Sequence, residues 1–339
     1  VNLRQGYDLE DLLLIPKLSS VTSRDEVELS RHINELRLKI PIIASPMSGI
    51  VGVELIKGLG KLGGIGILHR FYNDITERII DLETLAESAI NFGVAVGLND
   101  KFYKAALDLG ASIICIDVAN GYLASVMNFT SIIADYIVNN GYTCLVMAGN
   151  VATYEGARCL FNAGAILIRT GIGSGQLCTT RNEAGVGIPQ ATAIIDCSHK
   201  MVNVHLHDEY KIQTNDFNPW YTVADGGIKN SGDGIKALAC GADLLMIGSL
   251  FASCFESDNN GEILGMASKE FQEQFYGEVK KSVEGTKKKV EKTISLDKFI
   301  DKFMWNMKSG FTYCNARNIA ELHKNAEFII TGSESIVQK

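Results

Sequence analysis

The chain has 339 residues, 46% of them hydrophobic and 21% charged, and its net charge is -7. That length holds one large α/β domain or two average ones, with enough apolar sequence for a sizeable core. The acidic balance argues against nucleic acid, whose binding rests on Lys and Arg neutralising phosphates, though a local site can still hold a nucleotide. No apolar run reaches spanning length, and the opening stretch "VNLRQGYDLEDLLLIPKLSS" lacks a basic-then-apolar signal pattern. Eight cysteines, at 115, 144, 159, 178, 197, 240, 254 and 314, form no C-x-x-C pair, so neither zinc nor a redox dithiol is signalled. The expected setting is a reduced cytoplasm.

In chain order, eight short apolar runs recur: "KIPIIASP" (the 40–47 region), "GIGILHR", "FGVAVG", "SIICIDVA", "TCLVMAGN", "AILIRTGIG", "WYTVADGG" and "DLLMIGS". Continuous rather than alternating apolarity suits strands buried on both faces, as in a parallel sheet. Helical patterns lie between most of them, such as "VELIKGLGKLG", "DKFYKAALDLGA", "YEGARCLFNAGA" and "GDGIKALACGA". Several end in Gly-Ala before the next strand, a helix C-cap signal. Eight β/α units in series predict a single-domain (β/α)₈ TIM barrel over 1–339. A doubly wound sheet is the rival, and the even spacing and the count favour the barrel.

Polar or glycine-rich residues follow each run: Met47-Ser48-Gly49, His69-Arg70, Asp117 to Gly121, Gly149-Asn150, "GIGSGQLCTTR" (171–181), Asp225-Gly226-Gly227 and Gly248-Ser249. Barrel enzymes build their sites at this C-terminal rim, and glycine-rich turns after the last strands bring backbone N–H groups close to phosphate. Two segments break the repeat. Residues 196–219 lengthen the link before the seventh run; His205 and His207 form an H-x-H pair there, but without a third ligand a solvated insertion is the better reading. Residues 269–295 are strongly charged and follow the phosphate loop, so a charged lid-like segment is expected near 255–295.

Cys178 stands in a loop that glycine makes costly to order, among polar rather than apolar neighbours. A thiol reacts as thiolate, and a loop of free N–H groups favours that charge. Thr179, Thr180 and Arg181 add hydroxyls and a cation, and the loop carbonyls suit a monovalent or hard cation. A catalytic cysteine is the favoured reading over a small buried residue in a tight turn.

These motifs, "GIGSGQLCTTR" followed by "GVGIPQ", with "IDVANGY" upstream and "ADGGIKNSGDGIKALACGADLLMIGSLFA" downstream, resemble the IMP dehydrogenase/GMP reductase family. The resemblance runs from "YDLEDLLLIPKLSSVTSRDEVELSR" to "TYCNAR", nearly the whole chain. "CTTR", "DVANGY" and "SVEGTKKKVE" resemble the reductase branch, and the stretch from His69 to Phe92 leaves no room for CBS modules; "SPM" at 45–47 and "GVAVG" at 93–97 are more like the dehydrogenase.

The resemblance implies NADPH-dependent reductive deamination of GMP to IMP and ammonia, in a potassium-dependent homotetramer. Its roles pass to Cys178 (nucleophile at purine C2, through a thioimidate) and to Thr180 and Glu284 (proton transfers). Asp225 would hold the ribose, Gly226, Gly227, Gly248 and Ser249 the phosphate, and Gly265, Met266, Ala267 and Gly285 the base. Arg70, Asp117, Val118, Ala119, Ile172 and Gly173 would face the cofactor, with Ser23 and Arg24 serving a neighbouring subunit. Backbone carbonyls of Gly173, Gly175, Cys178 and Arg181 would bind potassium. The alternatives are IMP oxidation with NAD, a related purine (deoxy)nucleotide substrate, or a degenerate nucleotide-binding regulator; retention of Cys178, Thr180 and Glu284 together argues against the last. Gln176 stands where the family usually has Ser, Leu264 where it has an aromatic residue, and "MSGI" where it has "MDTV".

Overall fold

Eight parallel strands close into a barrel in the computed structural model, which describes residues 3–198, 219–265, 268–277, 279 and 285–331. They are β1 (Ile42–Ala44), β2 (Ile65–Leu68), β3 (Phe92–Val96), β4 (Ile113–Asp117), β5 (Leu145–Val151), β6 (Leu167–Thr170), β7 (Tyr221–Asp225) and β8 (Leu244–Ile247). Each pairs with its successor, and β8 pairs with β1. The intervening helices are α1 (Val53–Lys61), α2 (Ile75–Ala86), α3 (Tyr103–Asp108), α4 (Ala124–Asn139), α5 (Tyr154–Asn162), α6 (Gln190–Ser198), α7 (Ser231–Ala239) and α8 (Leu296–Tyr313). All eight apolar runs are therefore strands, and the doubly wound rival is excluded. Among the described residues, no CBS module interrupts the barrel. Gly164 (φ +103°) and Gly241 (φ +110°) turn the chain out of α5 and α7, as the Gly-Ala pattern predicts.

Side chains divide by strand face. Ile42, Leu68, Val94 and Ile168 belong to the outer core with the helices, whereas Ile43, Ile67, Ala95, Cys115, Met147, Leu167, Val223 and Met246 fill the barrel. The period of two along a strand explains the split. A hairpin of Arg31–Ile33 and Leu36–Leu38 closes the bottom end: Ile33, Leu36 and Leu38 join the inner cluster, and Arg31 pairs with Asp243 at the start of β8. The C-terminal ends of the parallel strands lie at the other end.

The N-terminal segment braces the loops of that end. Tyr7 N–H donates to Thr192 Oγ1 on α6 at 2.8 Å, Lys236 Nζ on α7 donates to the Leu9 carbonyl at 2.6 Å, and Glu10 pairs with Lys229 at 2.6 Å. Leu12–Leu14 then pairs antiparallel with Phe328–Ile330, tying the two ends of the chain together.

The irregular segments differ in part from expectation. α6 runs to Ser198, so the first residues of the expected 196–219 insertion are helical; the Trp220 indole donates to the Cys197 carbonyl at 3.0 Å and returns the chain to β7. His205 and His207 lie outside the described residues. Within 255–295, Glu262–Leu264 pairs antiparallel with Lys287–Lys289, and a helix spans Lys269–Tyr276. Among the described residues, no helix is long and apolar enough to cross a membrane.

The hairpin plug generates a prediction. Ile33 is fully buried, so Ile33→Ala should destabilise the fold by about 2–5 kcal/mol through lost transfer energy and the cavity left behind. Denaturant unfolding measures this. Activity per folded molecule should match wild type, because the plug lies at the end opposite the rim.

Candidate active site

Inward positions on β4, β6 and β7 change from apolar to charged as they rise toward the rim. On β4 the order is Ile113, Cys115, Asp117; on β6, Leu167, Arg169; on β7, Tyr221, Val223, Asp225. The top layer meets at Arg169. Its Nη1 donates to Asp117 Oδ1 at 2.9 Å, and its Nη2 and Nε donate to Asp225 Oδ2 at 2.8 and 3.1 Å. Arg70 extends the chain of charges, donating from Nε to Asp117 Oδ2 at 3.3 Å. Burial alone would make Arg169 easier to deprotonate, but Asp225, Cys115 and Asp117 outweigh it and hold the guanidinium charged.

The bonds to Asp225 are one-sided. Arg169 and Asn150 Nδ2 (2.9 Å) all donate to Oδ2, while Oδ1 receives no bond from the described residues. The side chain keeps 15% exposure. An oriented carboxylate with one oxygen in reserve can accept hydroxyls such as those of a ribose. Asn150 also donates to the Gly171 carbonyl at 2.9 Å, linking Asp225 to the start of the cysteine loop.

Cys178 is the exposed member of the eight cysteines. Burial pushes the thiols of Cys115, Cys144, Cys240 and Cys254 up to about 12 and that of Cys314 to about 11, which keeps them protonated and inert. Cys178 Sγ lies 3.1 Å from Thr180 Oγ1, at the head of a one-turn helix over Thr180–Glu183. The loop is held from two sides. Leu177 is buried and its carbonyl accepts the Thr286 N–H at 3.1 Å, Gly265 N–H donates to the Thr286 carbonyl at 2.8 Å, and Cys178 bridges Gly285 as an antiparallel pair. A Cβ on Gly265 would lie 2.9 Å from the Leu177 carbonyl, so only glycine permits this three-way backbone contact. On the other side, Arg181 forms a two-pronged pair with Asp8 at 2.7 and 3.0 Å. Burial would raise the Asp8 carboxyl, but Arg181, the Gln190 N–H and Lys229 hold it below the usual carboxylate range.

Phosphate-type elements border this loop. Gly226 (φ +92°) packs on Ser174, and Ser174 Oγ donates to the Asp225 carbonyl at 3.2 Å. Gly227 (φ +76°) packs on Gln190. Gly248 lies against Met47 and leads into a 3₁₀ turn over Ser249–Ser253. Across the rim, Arg70 and Asp117 stay partly open at 26% and 16% side-chain exposure, beside Val118 and Ala119. An arginine and a carboxylate form a donor and acceptor set suited to phosphates and ribose hydroxyls. Gly97 leaves the Arg70 guanidinium space, since a Cβ there would sit 3.3 Å from Nη1. Ile172 and Gly173 follow the Asp225 side of the loop, and Gly173 closes over the Arg181 side chain.

The remaining expected residues separate. Ser23 caps the short turn Arg24–Glu26, and Arg24 stacks over Trp305 on α8 at 5.0 Å, on the outside of the barrel. They do not join the rim of their own chain. Met266, Ala267 and Glu284 lie outside the described residues, but the residue after Glu284, Gly285, faces Cys178. His69 is buried and stacked on Tyr72, and burial first, then Arg78, pulls its pKa down to about 4, so it is a neutral ring. Sequence reasoning missed Arg169, Asp8 and Gln190. Arg169 carried a signal: an arginine inside the apolar run "AILIRTGIG" must be paired if the strand is buried.

Comparison with known proteins agrees with this geometry. Residues 6–338 match the IMP dehydrogenase / GMP reductase domain. The chain is 29% identical to a GMP reductase of Caenorhabditis elegans over 95% of its own length and 91% of that protein. It is 30% identical to GMP reductases of Buchnera aphidicola (99% and 97% covered) and Staphylococcus carnosus (96% and 97%). An inosine-5'-monophosphate dehydrogenase of Streptococcus pyogenes is 32% identical over 84% of the chain, which spans only 58% of that relative. With a domain match over nearly its full length, borne by a closed eight-stranded barrel, the chain belongs to the IMP dehydrogenase/GMP reductase family.

Proposed function

We propose that the chain is a GMP reductase, carrying out the NADPH-dependent reductive deamination of GMP to IMP and ammonia. The observation that carries this reading is Cys178: an exposed thiol 3.1 Å from the Thr180 hydroxyl, in a loop tied through Asn150 and Gln190 to the carboxylate strand ending at Asp225. Reductase relatives that match the chain nearly end to end support it over the dehydrogenase.

In this reading Asp225 Oδ1 accepts ribose hydroxyls, while backbone N–H groups around Gly226, Gly227, Gly248 and Ser249 meet the phosphate. Gly265, Met266, Ala267 and Gly285 border the purine. The Cys178 thiolate attacks C2 and forms the C–S bond as the C2–amine bond breaks. Thr180 and Glu284 relay the protons that let nitrogen leave as ammonia. NADPH, when bound, supplies the hydride that replaces sulfur at C2. Arg70, Asp117, Val118, Ala119, Ile172 and Gly173 would hold the cofactor at the rim, with Ser23 and Arg24 contributed by a neighbouring subunit of a homotetramer. Carbonyls of Gly173, Gly175, Cys178 and Arg181 would bind potassium: they are neutral oxygen donors, suited to a weakly hydrated monovalent ion. The eight cysteines are free, which suits a reducing, cytoplasmic setting.

The direct test follows nicotinamide absorbance. GMP should consume NADPH; production of NADH from IMP and NAD, with no GMP turnover, would establish the dehydrogenase instead. Removing potassium should lower the rate and zinc should not restore it; equal rates in potassium-free buffer would exclude an ion at this loop.

Cys178→Ala should abolish turnover, a loss of several orders of magnitude, while GMP binding survives through its ribose and phosphate contacts. Glu284→Gln should differ in kind. Losing a general acid–base group costs about 10²–10⁴-fold in deamination. Hydride exchange between IMP and labelled NADPH, run with NADP+ present to take the C2 hydride from IMP as the thioimidate re-forms, needs no such proton, so it should persist far better than in Cys178→Ala. Equal loss of both activities in the two variants would show that Glu284 is not specific to deamination.

A further inference from the structure

The Asp8 carboxylate holds two loops of the site with its two oxygens. Oδ2 accepts Arg181 Nη1 at 2.7 Å; Oδ1 accepts Arg181 Nη2 at 3.0 Å and the Gln190 N–H at 2.6 Å. Arg181 is three residues past Cys178 and runs through the middle of the cysteine loop. A Cβ on Gly173 or on Gly187 would fall 2.6 or 2.9 Å from Arg181 Cγ, so the loop is wrapped around this side chain. The guanidinium is further fixed by donation to the Ile188 carbonyl at 3.1 Å. Gln190 leads the other way. It is fully buried, and its Nε2 donates to the Thr170 carbonyl at 3.0 Å and to the Asp225 carbonyl at 3.3 Å. One carboxylate thus connects the loop that carries the thiol with the strand end that carries the ribose acceptor.

We propose that Asp8 is a positioning residue that sets the distance between Cys178 and Asp225, and so places the thiol against C2 of a bound purine nucleotide. This rests on Cys178 being the nucleophile. A two-pronged Arg–carboxylate pair fixes angle as well as distance, which a single hydrogen bond does not. The carboxylate is itself held. The Asp8 backbone N–H donates to Asp11 Oδ2 at 2.8 Å, and Tyr7 and Thr192 exchange backbone and side-chain bonds on the other side. Errors of about 1 Å in the approach of a nucleophile cost on the order of 100-fold in rate. Asp8 touches no reacting atom, so its effect falls on turnover and not on affinity.

Asp8→Asn keeps the shape but loses the charge and one acceptor. It should lower kcat about 10–100-fold with KM for GMP within about threefold of wild type. Asp8→Glu restores a carboxylate and should recover much of the loss. Lys17→Gln breaks the partly exposed pair with Glu327 in the same N-terminal segment, away from the rim loops, and should leave kcat unchanged. If Asp8→Asn fails to fold, Arg181→Lys, which keeps the charge but not the fork, provides the same comparison. Wild-type kcat in well-folded Asp8→Asn, or equal losses in Asp8→Asn and Lys17→Gln, would overturn the proposal. Alkylation of Cys178 by iodoacetamide separates this idea from the functional reading, because it needs no substrate. A chain that turns over neither GMP nor IMP would refute the reductase reading. An alkylation rate that differs at least about threefold between wild type and Asp8→Asn would still support Asp8 as the residue placing the thiol, and an identical rate would refute it.

Discussion

Arg169 is a buried cation between two carboxylates, and the rim is arranged around that fact. It is 6% exposed, on a strand whose other inward neighbours are apolar. A charge there is tolerated only if paired and hydrogen-bonded. Asp117 and Asp225 provide the pairing, and they must then come from β4 and β7, which flank β5 and β6. Removing one partner from such a buried set costs about 3–5 kcal/mol, because the rest is left uncompensated. That constraint holds two acceptors at fixed places on opposite sides of one guanidinium. In the reading proposed for the site, one faces the cofactor and the other faces the ribose, so a single ionic contact sets the relative positions of the two reactants' anchors.

Cys178 sits one layer higher, where the chain has left the strands. Seven cysteines pack into strands, helices and their junctions, and most are held protonated by burial. Cys178 escapes because its loop is occupied by backbone contacts and by the Arg181 side chain, not by an apolar core. The glycines are the means: Gly173 and Gly187 make room for Arg181, and Gly265 lets three backbones meet below the thiol. A loop that costs entropy to order is thereby held from both sides, by the Gly285–Thr286 backbone and by the N-terminal brace.

The eight strands were legible in the sequence because burial on both faces leaves a continuous apolar run, and Gly-Ala pairs mark where several of the helices stop. Cys178, Asp117, Asp225 and the glycine turns were legible because they follow those runs, and the barrel places everything that follows a strand at one end. Arg169 was hidden by its setting: it reads as one polar letter inside an apolar strand. Asp8 and Gln190 were hidden for a different reason. Asp8 lies 173 residues from Arg181 and 182 from Gln190, and no local pattern encodes a contact at that separation. The expected insertion also began too early, since "DCS" at 196–198 continues the amphipathic turn of α6.

The two ends of the barrel show why the site can be built this way. At the bottom, the hairpin supplies Ile33, Leu36 and Leu38 to the inner core, and Arg31 satisfies Asp243 there. That plug carries stability without touching the rim. At the top of β4, β6 and β7, apolar filling stops at Cys115, Leu167 and Val223, and the next inward residues, Asp117, Arg169 and Asp225, are charged. A layer of charges is a poor source of stability but a stiff one, because each member fixes the angle of the next. Asp8 extends the same principle beyond the strands: Arg181 and Gln190 are fixed by one carboxylate, just as Asp117 and Asp225 are fixed by one guanidinium. The Cys178 loop and the barrel rim are thus each organised around one shared ionic group. Gln190, which bonds both Asp8 and the Asp225 carbonyl, joins the two into a single frame.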